Sequence, residues 1–284
     1  MTSNKLAIGA EAVEHRRPQK RSSAIATQGR PVKNYVQVIY ALVLHDIKSR
    51  YFGNGLGQIL LLVWPLTHLL FLVLAYTVSG RLPPFGSSLL LFACTGAVPW
   101  IVFSYMSRWI VFAPLSNRPL LFYPVVTPLD LIVGRALLEI VNSILIVVLV
   151  IALLVMADID PWPHDLNQAA EALGVCFVLA LALGIINAAI VLVSNLWATV
   201  YILAQIVLYI ASGLVFLPSS LPEFARYPLS FNPVLQIIEW MRFAYYADYP
   251  TIVLDRLYVT EFSFMTLVFG LIFERVMRRW VFLL

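Results

Sequence analysis

The sequence predicts an all-α integral membrane protein. Six transmembrane helices, an N-terminal amphipathic interfacial helix and an outer re-entrant helical segment between spans five and six make up the expected fold. Three observations lead there. Hydrophobic residues make up 61% of the 284 residues and charged residues only 12%, whereas a soluble domain averages about 45–50% apolar and about 25% charged. The apolar residues gather in runs of roughly 20, the length a helix needs to cross the hydrocarbon core. Lys and Arg are distributed unevenly between the connections, as in a chain with a fixed orientation across a bilayer.

Residues 1–33 are polar, turn-rich and basic, with seven of the 19 Lys and Arg in the first 34 positions. They read as a disordered cytoplasmic tail, and they lack the apolar core of a cleavable signal peptide. Residues 34–284 form one membrane domain. It opens with an amphipathic helix over 34–52, where Val36, Tyr40, Val43, Ile47 and Tyr51 recur at spacings of three and four, opposite Gln37, Ala41, His45 and Lys48. The basic residues Lys48 and Arg50 at its end suit a helix lying in the headgroup plane.

The spans are predicted at about 57–79, 89–112, 131–156, 174–194, 197–217 and 258–273. Each boundary has a cause. The Arg81–Gly86 turn ends the first span. Pro114, Pro119, Pro124 and Pro128 keep 113–130 from spanning. The acidic 157–171 stretch with Pro161-Trp162-Pro163 is a loop. Residues 174–217 carry no formal charge over 44 positions, too long for one crossing at about 1.5 Å per residue, so Ser194-Asn195 is the expected tight turn. Residues 218–257 form the re-entrant segment. In it Asn232-Pro233 is an N-cap followed by proline at the first helical position. Val234, Ile237, Ile238, Met241 and Tyr245 form one stripe of that helix, with Gln236, Glu239 and Arg242 off it. With both termini inside, 15 Lys and Arg lie on the cytoplasmic side and four outside.

Ionisable residues within spans are few. His68 is midway along the first, and Arg108, Arg135, Glu139 and Glu274 sit near cytoplasmic ends, with Arg135 and Glu139 spaced to pair. Cys94 and Cys176 lie in apolar runs and form no metal or redox pattern. No phosphate-cradling GxxxxGK[ST] is present, nor HExxH, GxSxG or GxGxxG. A pump built on this chain takes its ATP hydrolysis from a partner, and no bound cofactor, metal or nucleic acid is expected. The short, proline-bounded segment 117–130 offers that partner a docking surface. Asn117, Arg118, Leu120, Phe122, Tyr123 and Val126 are the coupling candidates.

Four stretches carry a family resemblance. Arg50-Tyr51-Phe52-Gly53-Asn54-Gly55-Leu56-Gly57 joins the interfacial helix to the first span. Gly96-Ala97-Val98-Pro99-Trp100 lies in the second. Asn117–Asp130 is followed by Arg135-Ala136-Leu137-Leu138-Glu139. Asn232-Pro233-Val234, with Glu239, lies in the outer segment. In this order, over about residues 34–275, they resemble the membrane subunit of a type-2 ABC exporter of the capsular polysaccharide export (KpsM-like) family. Leu60 and Trp64 depart from that pattern, standing where the family often has Trp and an acidic residue.

The resemblance implies a non-enzymatic permease in the bacterial inner membrane, with both termini cytoplasmic. It would work as a homodimer with two ATPase subunits that hold ATP and Mg, and with periplasmic and outer-membrane export proteins. Its substrate would be a lipid-linked anionic polysaccharide. Lys48, Arg50 and Tyr51 are then candidates for meeting the lipid phosphate. Trp100, Phe103, Tyr201, Tyr209, Trp240 and Tyr245 are candidates for lining the path, because amphipathic rings bind sugars through face and edge. An exporter of O-antigen, teichoic acid or a drug stays open. So does a membrane-embedded transferase using His68 or the Asp158, His164, Asp165 loop, or a structural scaffold.

Overall fold

The computed structural model of the chain describes residues 32–51, 56–78, 80 and 82–281. Contacts divide the chain into two compact units, Met1–Val36 and Gln37–Leu284. The first is described only from Val32 to Val36, where helix α1 begins; of the predicted tail 1–33, Val32 and Lys33 belong to α1, and residues 1–31 lie outside the described residues. So do 52–55 of the Arg50–Gly57 motif and Arg81, together with the side chains of Arg50 and Tyr51. The second unit carries everything discussed below.

The described residues form nine α-helices and two short 3-10 turns: α1 (Val32–Tyr51), α2 (Leu56–Val78), α3 (Leu89–Ser116), α4 (Pro128–Met156), α5 (Leu166–Val193), α6 (Leu196–Ala211), α7 (Glu223–Ser230), α8 (Pro233–Tyr245) and α9 (Arg256–Val281). Four are long and apolar enough to cross a bilayer: α3, α4, α5 and α9. The other two predicted spans fall on α2 and on the shorter apolar α6.

Local chemistry sets where these helices begin, and it moves several predicted boundaries. Ser88 caps α3 by accepting from Leu91 N at 3.2 Å, and α3 runs on to Ser116, past the predicted 112. Thr127 and Asp130 form a reciprocal capping box around Pro128, so α4 starts three residues before the predicted 131. Asp165 accepts from Asn167 N and Gln168 N at 3.0 and 3.2 Å. That cap starts α5 at Leu166 instead of 174 and makes residues 166–171 helix, not loop. Ser194-Asn195 is the α5–α6 turn, as expected. Gly213, at φ +71, ends α6 near Ala211 instead of 217, because only glycine takes the left-handed conformation without strain. Asp255 accepts from Tyr258 N at 2.9 Å, so α9 starts at Arg256, and its 26 residues replace the short span predicted at 258–273.

Helix α5 is the centre, packed on α3 and α9. It is lined with small buried residues: Ala180, Ala182, Ala188 and Ala189. A Cβ on Gly184 would stand 2.7 Å from Ile110 of α3, and one on Gly270 of α9 would stand 3.2 Å from the Ala182 carbonyl. Small residues let helices approach closely where lipid supplies no hydrophobic drive between them. The outer surfaces of α2, α4, α6 and α9 present large apolar side chains, among them Phe71, Val141, Val207 and Phe269. Such a surface needs lipid against it.

Candidate functional site

Three constellations stand out, at the two ends of the bundle and in a groove between them. The first begins with α1. Ile39, Leu42 and Asp46 form its buried row, while Tyr40 is 64% exposed. The packed face is therefore rotated from the stripe read in the sequence, toward α4, where Gly134 meets Leu42 with a would-be Cβ contact of 3.5 Å. Asp46 Oδ2 lies 3.0 Å from Arg135 Nε, and Asp46 Oδ1 accepts from Asn117 Nδ2 at 3.2 Å. One buried carboxylate thus ties together α1, the end of α3 and the start of α4. The Arg135 guanidinium also lies 5.9 Å from the Trp109 ring centroid. Sequence reasoning missed Asp46. The available signal was a carboxylate four residues after Leu42 and three after Val43, on an otherwise apolar row.

The 117–127 connection hangs from this tie. Asn117 is buried and caps α3, its N–H donating to the Ala113 carbonyl at 3.2 Å. A 3-10 turn over Arg118–Phe122 then presents Phe122 and Tyr123, 76% and 62% exposed. Arg118 is exposed, while Leu120 and Val126 are half-buried. Among the six coupling candidates, Asn117 therefore anchors the loop from within, and Phe122, Tyr123 and Arg118 form its outward face. Lys48 is exposed on α1.

At the opposite end, α8 is buried on nearly every side, from Val234 through Arg242. The residues read as lying off its apolar stripe face protein. Arg242 Nη1 donates to Glu239 Oε1 at 3.3 Å, and Nη2 to the Leu214 carbonyl at 3.3 Å. Its guanidinium sits 4.2 Å from the Phe92 ring centroid. Tyr249 donates to Glu239 Oε1 at 2.7 Å. Burial pushes the Glu239 carboxyl above its ordinary range, against the pull of Arg242 and Tyr249. Gly96 makes room for this arginine, since a Cβ there would lie 3.0 Å from Arg242 Nη2. Asn232 caps α8 through Val234 N at 3.0 Å and donates to the Ala211 carbonyl and Ser212 Oγ, both at 3.1 Å. Gln236 bridges the Ser230 and Val253 carbonyls at 2.7 and 2.9 Å. These bonds satisfy backbone groups that an irregular segment would otherwise bury without partners.

The third constellation is a groove between α2, α3 and α6. Its half nearer the 117–127 end lies between α2 and α3 alone and holds about 500 Å³ against Val63, Thr67, Trp109 and Phe112. The other half, about 220 Å³, is lined by His68, Trp100, Ser104, Gln205 and Tyr209. Trp64, Tyr105 and Arg108 belong to both. His68 Nε2 and Tyr209 Oη stand 3.2 Å apart, and the Trp100 ring meets Tyr209 edge-on at 5.1 Å. Ser104 donates to Gln205 Oε1 at 3.1 Å, and Gln205 Nε2 donates to Ser107 Oγ at 3.0 Å.

Of the six path-lining candidates, Trp100 and Tyr209 therefore meet in the groove, joined by His68. Phe103 lies in the main core, and Tyr201 is buried with Val111, Val191 and Ala198. Trp240 is buried and donates to Gln168 Oε1 at 2.7 Å, tying α8 to α5. Tyr245 lines a separate apolar cavity of about 180 Å³ with Cys94, Trp162 and Met241. Asp165 is engaged in its helix cap. Among the described residues no three His, Cys, Asp or Glu side chains gather to hold a metal.

No family model matches the chain. It is similar to two capsule polysaccharide export inner-membrane proteins and to a polysialic acid transport protein. The capsule polysaccharide export inner-membrane protein BexB of Haemophilus influenzae is 29% identical over 79% of this chain and 82% of its own length. The polysialic acid transport protein KpsM of Escherichia coli is 26% identical over 84% of this chain and 92% of its own. The capsule polysaccharide export inner-membrane protein CtrC of Neisseria meningitidis is 26% identical over 83% and 89%.

Proposed function

We propose that this chain is the membrane permease subunit of an ATP-driven ABC exporter that carries capsular polysaccharide across the bacterial inner membrane. Similarity to BexB, KpsM and CtrC over about four-fifths of the chain carries the reading. The apolar helical bundle supports it. In this reading α2, α3, α4, α5, α6 and α9 are six spans. Both termini and the 117–127 loop are cytoplasmic, and α8 re-enters from the outer side. The distribution of Lys and Arg supports that orientation.

The exported polymer is anionic and lipid-linked, and ATP is hydrolysed by a separate cytoplasmic subunit that docks on Phe122 and Tyr123. Two such apolar rings exposed on a short anchored loop are what a rigid partner can grip. The stroke reaches the membrane through Asp46, which joins that loop to α1 and α4. Lys48 and Arg50 meet the lipid phosphate at the inner surface. The subunit works as a symmetric pair, with the α2–α3–α6 groove forming part of the path, and hands its polymer to periplasmic and outer-membrane export proteins.

Co-expression with the host's candidate ATPases tests this. Stoichiometric co-purification with vanadate-sensitive ATP turnover is expected. Absence of any ATPase under mild extraction would overturn the reading.

A further inference from the structure

We propose that the apolar cavity beside Tyr245, among α3, α4, α5 and α8, is a binding site for one hydrocarbon chain of a membrane lipid, and that the bound chain seats α8. The cavity holds about 180 Å³ at the end of the bundle opposite the 117–127 loop. It shares no lining residue with the α2–α3–α6 groove. Its floor is Cys94, Val150, Leu154, Ala169 and Met241, all buried. Its rim is Trp162 and Leu166, 64% and 62% exposed. No charged side chain lines it.

Depth and chemistry identify the occupant. On α4 the lining runs from Val147 to Leu154, and on α5 from Leu166 to Leu173. Each stretch covers about 10 Å of helix, roughly a third of the hydrocarbon core. Helix α4 ends at Met156 and α5 begins at Leu166, so the cavity opens at the ends of two helices long and apolar enough to cross a bilayer and runs inward between them. Val155 and Met156 are exposed beside the rim, and Trp162, between two prolines, is the kind of ring that sits at a membrane interface. Hydrocarbon is therefore the phase at the mouth. Water suits the interior badly. An ordered water needs about three polar partners, and the Thr95 hydroxyl on the wall already donates to the Phe92 carbonyl at 2.8 Å. An apolar cavity of about 150 Å³ stays dry and takes a benzene-sized guest, so this one has room for a segment of a single chain.

A chain lying there touches α8 through Met241 and Tyr245. The segment over the cavity is itself tied to α8, since the Asp165 N–H donates to the Ala244 carbonyl at 2.9 Å. Gln168, at the start of α5, accepts from Trp240 at 2.7 Å and from Arg256 at 2.8 Å. Polar bonds thus hold α8 at the surface, while beneath them it borders a void. Side chains that line a void lose dispersion contacts on that side, and a hydrocarbon chain restores them. The site requires only that α4 and α5 lie in lipid, whatever the bundle exports.

The full chain in phosphatidylcholine nanodiscs, doped with phosphatidylcholine that carries a diazirine at the end of one chain, reads the site by photolysis and peptide mass spectrometry. Adducts are expected at Cys94 and Met241, each 3% exposed, as often as at Val148 on the outer face of α4, and not at Met106, which is equally buried in the main core. Ala169→Leu and, from the opposite wall, Val150→Phe fill the cavity. In both variants the adducts at Cys94 and Met241 should fall several-fold while those at Val148 stay. In detergent, hydrogen exchange over 241–246 should slow several-fold when phosphatidylcholine is added to the wild type, and should not respond to lipid in Ala169→Leu. Adducts confined to exposed positions overturn the proposal, as do adducts at Cys94 that persist in both filled variants. Labelling of Cys94 by a water-soluble diazirine in place of the lipid one overturns it too, by showing a water-filled cavity. Exchange in the wild type that ignores lipid refutes the seating of α8.

Discussion

Replacing Asp46 should detach α1 from the bundle. Its carboxylate sits 3.0 Å from Arg135 Nε, and the two side chains are 7% and 3% exposed. Removing the carboxylate takes from the buried guanidinium its contact at 3.0 Å, a change that costs up to about 3–5 kcal/mol for a pair so buried. Asn117 adds a charge-assisted hydrogen bond to the other oxygen at 3.2 Å, of a kind worth about 1.5–3 kcal/mol. Asp46→Ala should therefore lose up to about 3–5 kcal/mol, and Asn117→Ala roughly half as much. Asp46→Asn should fall between wild type and Asp46→Ala, because it keeps an acceptor for Asn117.

The assay is denaturant unfolding in detergent, followed by tryptophan emission, on the double-mutant cycle Asp46→Leu, Arg135→Leu and both together. The double variant should lose less than the two single ones summed, since the contact between the two side chains is already gone in each. In the complex with its ATPase, Asp46→Asn should let ATP turnover continue while export falls. A coupling energy below about 0.5 kcal/mol in the cycle would refute the inference that this pair holds α1 in place.

Phe122→Ala and Tyr123→Ala should change stability by no more than about 0.5 kcal/mol, as exposed positions do, yet weaken ATPase co-purification at least tenfold; unchanged binding would remove the loop's role. Gly96→Ala places a methyl 3.0 Å from Arg242 Nη2. It should cost about 1–3 kcal/mol by displacing the guanidinium from Phe92, read as a lower midpoint in the same unfolding assay. Asn232→Ala removes the α8 cap and the bonds to Ala211 and Ser212; about 1–2 kcal/mol should be lost, with faster hydrogen exchange confined to 212–245.

The four helices long and apolar enough to cross a bilayer, α3, α4, α5 and α9, were legible because lipid demands length and apolarity, and both are one-dimensional properties. The Ser194-Asn195 turn and the Asn232-Pro233 cap were legible for a similar reason, since a cap or turn acts over three or four residues. The proline-bounded loop with Phe122 and Tyr123 was readable on the same grounds. The start of α5 was misplaced because a polar first turn, Asn167 to Glu171, looks like loop until Asp165 is seen capping it. The 26-residue length of α9 was hidden because charged residues at both ends, Arg256 and the arginines after Glu274, look like boundaries.

The roles of Asp46, Glu239 and Arg242 lay beyond the sequence. Periodicity states which residues share a helix face, and in a soluble protein the apolar face is the packed one. Here lipid and protein are both apolar, so that inference fails. Helix α1 packs through Ile39, Leu42 and Asp46 while Tyr40 faces outward, and α8 buries its charged side chains together with its apolar stripe. What the sequence determined by itself is the membrane character of the chain, the order of its helices and the position of its loops, since each follows from local composition. The tertiary structure alone decided which polar side chains meet. It joined Asp46 to Arg135 and Asn117 and seated Arg242 over Phe92, because contacts between residues about 20 to 150 positions apart are set by how the helices pack.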